Sequence, residues 1–184
     1  FAQNSGVATA ASIGSIKKNN NTSEGSAGAL TGGETVIRVF LSLTGTPGGQ
    51  ETISIKPANG SSIYNSSGTA MNANNAISAT FNDKNGPNIT QTSIADDNST
   101  VSVTVNETAY NTNGGSGALQ TSDWALSISG GAATLSSATP SSISLTSNTY
   151  TLGVGLSGTA NGFEVLTVNP VANSIYDASG NVST

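Results

Sequence analysis

The stretch Val101-Ser102-Val103-Thr104-Val105 sets three valines on one side of an extended chain and two hydroxyl residues on the other. Alternation of this kind marks a strand with one face buried and one face wet. Similar period-two runs lie on both sides of it, at Thr35–Leu43, Glu51–Ile55, Ile77–Phe81, Ile89–Ile94, Trp124–Ile128, Tyr150–Leu156 and Glu164–Val168. Turn-forming clusters separate the runs, among them Pro47-Gly48-Gly49, Asn85-Gly86-Pro87, Asp96-Asp97-Asn98 and Asn161-Gly162. Gly supplies positive φ in such turns, and Asp and Asn bond their own backbone. No segment carries the i, i+3, i+4, i+7 apolar spacing over the length a globular helix needs. The pattern predicts an all-β chain built of short antiparallel strands, as in a β-sandwich.

Composition narrows the chemistry. The 184 residues include no histidine and no cysteine, so imidazole bases, thiolate nucleophiles and His/Cys metal sites are excluded. Five basic residues against ten acidic ones give a net charge of −5, which offers nothing to nucleic acid or to an anionic membrane surface. No run approaches the ~20 apolar residues of a membrane-spanning helix, so membrane insertion is not expected. The expectation is a protein that is not an enzyme and carries no cofactor.

An internal repeat organises the chain. Leu43–Pro57 aligns with Leu156–Pro170, 113 positions apart, with six of fifteen residues identical, and Glu51 falls on Glu164. After a one-residue slip, Ser62–Gly68 aligns with Ser174–Gly180, with five of seven identical, and Tyr64 falls on Tyr176. Two modules are expected, over residues 1–83 and 84–184. Leu156 stands 69 positions after Pro87, but only 42 residues precede Leu43. The first module therefore reads as lacking its first strands, the equivalents of Ile89–Ile94 and Val101–Val105. The second reads as lacking the last strand, the equivalent of Ile77–Phe81. The first thirty residues find no place in the repeat.

The run Leu156–Pro170 followed by Ser174–Asn181 resembles the Ig-like tandem repeats of large bacterial surface proteins and adhesins. Asp97–Val105 and Ala109-Tyr110-Asn111 resemble the opening strands of the same repeats. The resemblance implies two tandem Ig-like sandwich modules, an extracellular or cell-surface location, and work as a stalk, a fibre or a binding tip. It brings no catalytic residues.

Individual residues carry further expectations. Glu51 and Glu164 read as structural residues at hairpin edges. Asp96, Asp97 and Asp177 are weak calcium candidates, because carboxylates near Asn residues offer oxygen ligands; the same residues also serve turns without a metal. Tyr64, Tyr176 and Trp124 read as core residues. Uncovered modules expose unpaired backbone and apolar surface, which a neighbour's strand can cover. A donor strand is expected at the N-terminus, through Asn4, Val7, Thr9, Ala11 and Ile13. Head-to-tail pairing of that kind does not close, and it makes a homopolymer. The competing expectation is a module, within a longer tandem array, that binds a glycan or a protein through its loops.

Overall fold

The computed structural model describes residues 1–184 and is all-β, with several small antiparallel sheets and no α-helix. The chain divides into two units, Phe1–Lys84 and Asn85–Thr184. In unit 1, β1 (Ala10–Lys18) pairs with β2 (Ile37–Thr44), and β3 (Thr52–Ile55) pairs with β4 (Ile77–Thr80). Unit 2 holds β5 (Ile89–Ile94), β6 (Thr100–Val105), β7 (Trp124–Ser129), β8 (Thr134–Leu135), β9 (Ile143–Thr146), β10 (Thr149–Gly153), β11 (Leu156–Ser157) and β12 (Val165–Pro170). One four-stranded sheet runs in the order β5-β6-β10-β9, while β7 pairs with β12 and β8 with β11.

The valine alternation behaves as its spacing requires. Val101, Val103 and Val105 are buried, and Ser102 and Thr104 are only partly covered. Against these valines pack Tyr150, Leu152 and Val154 from the β10 segment, with Trp124 and Leu126 of β7, Val168 of β12, and Ile175. Each aliphatic side chain taken out of water here contributes on the order of 1.5–3 kcal/mol. The four-stranded sheet and the β7–β12 pair thus share one core, an arrangement consistent with a β-sandwich.

Unit 1 repeats the outline without that core. Ile37, Val39 and Leu41 of β2 align with Tyr150, Leu152 and Val154. Leu152 is wholly buried, whereas Ile37 is 43% exposed. The reason is topological. β10 lies between β6 and β9 within a four-stranded sheet, whereas β2 is paired with β1 alone. The buried apolar residues of unit 1 are Ala8, Ala27, Pro47 and Pro57.

Three strands were not expected, the two-residue β8 among them. β1 is built from Ala-Ala-Ser-Ile-Gly-Ser-Ile-Lys-Lys, whose small residues give little alternation, and a register shift between Ile13 and Ser15 breaks what there is. β9 does alternate, but it is a four-residue edge strand. The run expected over Tyr150–Leu156 divides into β10, which ends at Gly153, and β11, which starts at Leu156 and pairs with β8 instead.

Unequal burial should give unequal local stability. In native-state hydrogen exchange, the amides of β6 and β10 should exchange at least about tenfold more slowly than those of β1 to β4. Equal protection in the two units would contradict the inventory of buried side chains.

Candidate functional site

The repeated glutamate organises a loop in each unit. Glu51 precedes β3 and is fully buried, although it carries charge. Its Oε1 accepts the Ala8 N–H at 2.7 Å and the Gly48 N–H at 3.2 Å. Its Oε2 accepts the N–H groups of Gly48 at 3.0 Å and Gln50 at 3.2 Å. Burial pushes this carboxyl up, but the backbone N–H donors outweigh it and hold the group below its ordinary range. One side chain thereby ties the Pro47–Gln50 loop to the segment that leads into β1.

Glu164 does the same before β12. Its Oε1 accepts the N–H groups of Ala132 at 2.8 Å and Ala133 at 3.0 Å, from the link between β7 and β8. Asn161 donates to both oxygens, and Gly162 donates to Oε2 at 2.9 Å. The Ala133 N–H leads in holding this carboxyl down to about 2, against a smaller upward push from burial. Gly49 and Gly162 occupy the same place in the two loops, at φ of 78° and 85°, where a side chain would be strained. Gly6 and Gly131 also correspond, since a Cβ on either would run into the glutamate carboxyl.

That last correspondence places the N-terminal segment in the repeat. Gly6-Val7-Ala8-Thr9 meets Glu51 as Gly131-Ala132-Ala133-Thr134 meets Glu164. The expected donor strand is accordingly bound within its own unit. Asn4 Nδ2 donates to the Gln50 carbonyl at 3.1 Å, and the Thr9 N–H donates to the Thr44 carbonyl at 2.9 Å. Ala11 stands opposite Leu43, and Ile13 opposite Leu41. Val7 is 50% exposed.

The Tyr-Asn/Asp motif closes a second repeated loop. Asn65 Oδ1 accepts the Thr69 N–H at 2.9 Å, and Asp177 Oδ1 accepts the Asn181 N–H at 2.7 Å. Tyr64 bridges to Ala70 as Tyr176 bridges to Val182. Because an uncharged Asn performs the task in one copy, the oxygen is needed as an acceptor for the turn. The second Asp177 oxygen accepts the Asn181 amide at 2.7 Å. Asp97 Oδ1 is taken up by the N–H and hydroxyl of Ser99 in the β5–β6 turn, and these bonds hold its carboxyl below the usual range. Neighbouring Asp96 is exposed. The three calcium candidates therefore sit in two separate turns, with Asp97 and Asp177 bonded to their own loops.

The aromatic expectations divide. Trp124 is a core residue, 5.6 Å from the Tyr150 ring and tilted against it, with its indole N–H buried and unpaired. Tyr64 is 55% exposed, so it is not a core residue. Tyr176 is partly buried and donates its hydroxyl to the Asn173 carbonyl at 2.8 Å. The buried member of the Ile-Tyr pair is Ile175. Tyr150, which the repeat did not single out because Ile37 stands in its place, is the tyrosine that fills the core.

Comparison with family models, with curated proteins and with solved structures returns no match.

Two outcomes follow from these contacts. A carboxyl held below its ordinary 4.5 stabilises the fold fully above that pH and loses its contribution as pH falls through the folded value, about 2 for Glu164. Thermal melts should therefore drop between about pH 5 and pH 2, and the drop should shrink in Glu51→Gln and Glu164→Gln proteins. Melts of both variants that track the parent at every pH would contradict the assignment. Among the aromatics, Trp124→Ala should cost about 3–5 kcal/mol in denaturant unfolding, and Tyr64→Ala less than about 1 kcal/mol.

Proposed function

We propose that this chain is a structural, non-catalytic part of an extracellular surface filament, fibre or stalk. It would be built of Ig-like tandem units and joined to other copies by strand complementation. The observation that carries this reading is the incompletely covered apolar face of β2. Ile37, Val39 and Leu41 align with three residues that are buried in unit 2, yet Ile37 is exposed, Val39 and Leu41 are only half-buried, and β2 lacks the strand that β6 adds beside β10. Apolar surface left in this state drives association, and unpaired strand edges direct it along the backbone.

The glutamates support the non-catalytic part. A general base needs a free lone pair aimed at a substrate proton, whereas both oxygens of Glu51 and Glu164 are engaged by backbone N–H groups. The repetition of the same carboxylate knot in two units fits a load-carrying array better than a specialised site.

A second reading, an adhesin module that binds a glycan or a protein through its loops, draws on Phe163. This ring lies in the loop before Glu164 and is 77% exposed. Aromatic faces presented this way suit sugar rings and apolar protein patches.

Electron microscopy and sedimentation of the purified chain separate the two readings. The structural reading expects concentration-dependent assembly into fibres, weakened by Val39→Lys or Leu41→Lys. A chain that stays monomeric at high concentration, forms no fibres and binds a glycan through Phe163 would overturn it in favour of the second.

A further inference from the structure

The two units differ at one sheet edge. In unit 1, β3 is flanked by β4, with Thr52 opposite Thr80, Ile53 opposite Ala79, Ser54 opposite Ser78 and Ile55 opposite Ile77. The Phe81 N–H extends this ladder by donating to the Glu51 carbonyl at 2.9 Å. Thr52 exchanges both its backbone bonds with Ala2 on the other side, so Glu51 and Ile53 turn towards β4. In unit 2, β12 has β7 on one side and no strand on the other. Its phase is the same. Val165, Thr167 and Asn169 face β7, a series that the Val171 N–H continues by donating to the Asp123 carbonyl at 2.8 Å. Glu164, Leu166 and Val168 therefore turn their backbone groups to the open side.

A cleft of about 610 Å³ lies along that edge, lined by Ile94 of β5, by Ile128 and Leu156, and by Val165, Leu166 and Val168 of β12. Ile94 is 49% exposed and Val165 is 61% exposed. Unit 1 indicates what fits there. Ala2 bridges Thr52 as Ser129 pairs with Val165, so Phe1 holds the position of Ile128. The Phe81 ring packs against Phe1 at 6.2 Å. Ile77, Ala79 and Phe81 lie on one side of β4 by alternation, and Ile77 is 77% exposed in unit 1.

We propose that the cleft between β5 and β12 is an acceptor site for an extended strand of the Ile77–Phe81 type, donated by another repeat of this kind. The strand runs antiparallel to β12, with its threonine opposite Val165, its alanine opposite Leu166 and its isoleucine opposite Val168. Its N–H groups at the Ala79 and Phe81 positions donate to the carbonyls of Leu166 and Glu164. Its apolar side chains close over Ile94, Ile128 and Leu156. This site rests on the strand-complementation reading above and specifies its acceptor and its donor.

The test adds a synthetic peptide of residues 69–83 to the full chain and follows amide exchange at Leu166 and Val168. With the peptide at about ten times its dissociation constant, both amides should exchange about tenfold more slowly. N-methylation at the Ala79 position removes a donor aimed at β12 and should abolish protection. N-methylation at the Thr80 position, which points away, should leave it intact. Absence of protection by the unmodified peptide, or equal protection by both methylated peptides, overturns the site. Peptide protection in a chain that forms no fibres upholds the site and removes the filament reading. Fibres without peptide protection remove the site alone.

Discussion

A carboxylate gripped by backbone amides is the constraint from which each unit is built. Glu51 and Glu164 each gather N–H groups from two segments far apart in sequence: the loop just before them and the stretch that starts the preceding hairpin. Charged acceptors make stronger hydrogen bonds than neutral ones, and several N–H donors converging on one carboxylate leave no unsatisfied backbone in a tight loop. The surrounding sequence obeys the same demand. Glycine stands wherever the carboxyl comes too close for a Cβ, at Gly6 and Gly131, and wherever the loop turns left-handed, at Gly49 and Gly162. Strand entry, loop shape and strand exit are thus set by one side chain per unit.

Around this common knot the units diverge in burial. Unit 2 stacks the valines of β6 against Tyr150, Leu152 and Trp124, whereas unit 1 leaves Ile37 exposed and Val39 and Leu41 only half-buried. Loop architecture and core completeness are therefore independent in this protein. Both units keep the glutamate loop and the Tyr-Asn/Asp loop, but only unit 2 buries a sizeable apolar core.

Much of this was legible in the sequence because it depends on local alternation and on identities that recur in step. Val101–Val105, Ile89–Ile94 and the paired glutamates announced their roles. What was hidden depends on contacts between distant segments. The link from Gly6-Val7-Ala8-Thr9 to Gly131-Ala132-Ala133-Thr134 is short and made of small residues. It is also out of step, since Thr9 lies 34 positions before Leu43 while Thr134 lies 22 before Leu156. Only the shared approach to a glutamate reveals it. Tyr64 misled for a related reason. Its identity with Tyr176 is real and reflects a shared loop, but burial depends on a second layer that identity at one position does not report.

The way charge is held has a consequence for the medium in which the protein works. Lys18 and Glu34 form an ion pair at 3.8 Å, while Glu51 and Glu164 rest on N–H groups at about 3 Å. Dissolved salt screens charges over about 8 Å at physiological ionic strength and much less at hydrogen-bond range. A fold secured by amide-to-carboxylate bonds and by valine packing has little for ions to screen, and excluded salts strengthen its apolar contacts. These glutamate loops should therefore keep their shape from dilute to strongly saline water.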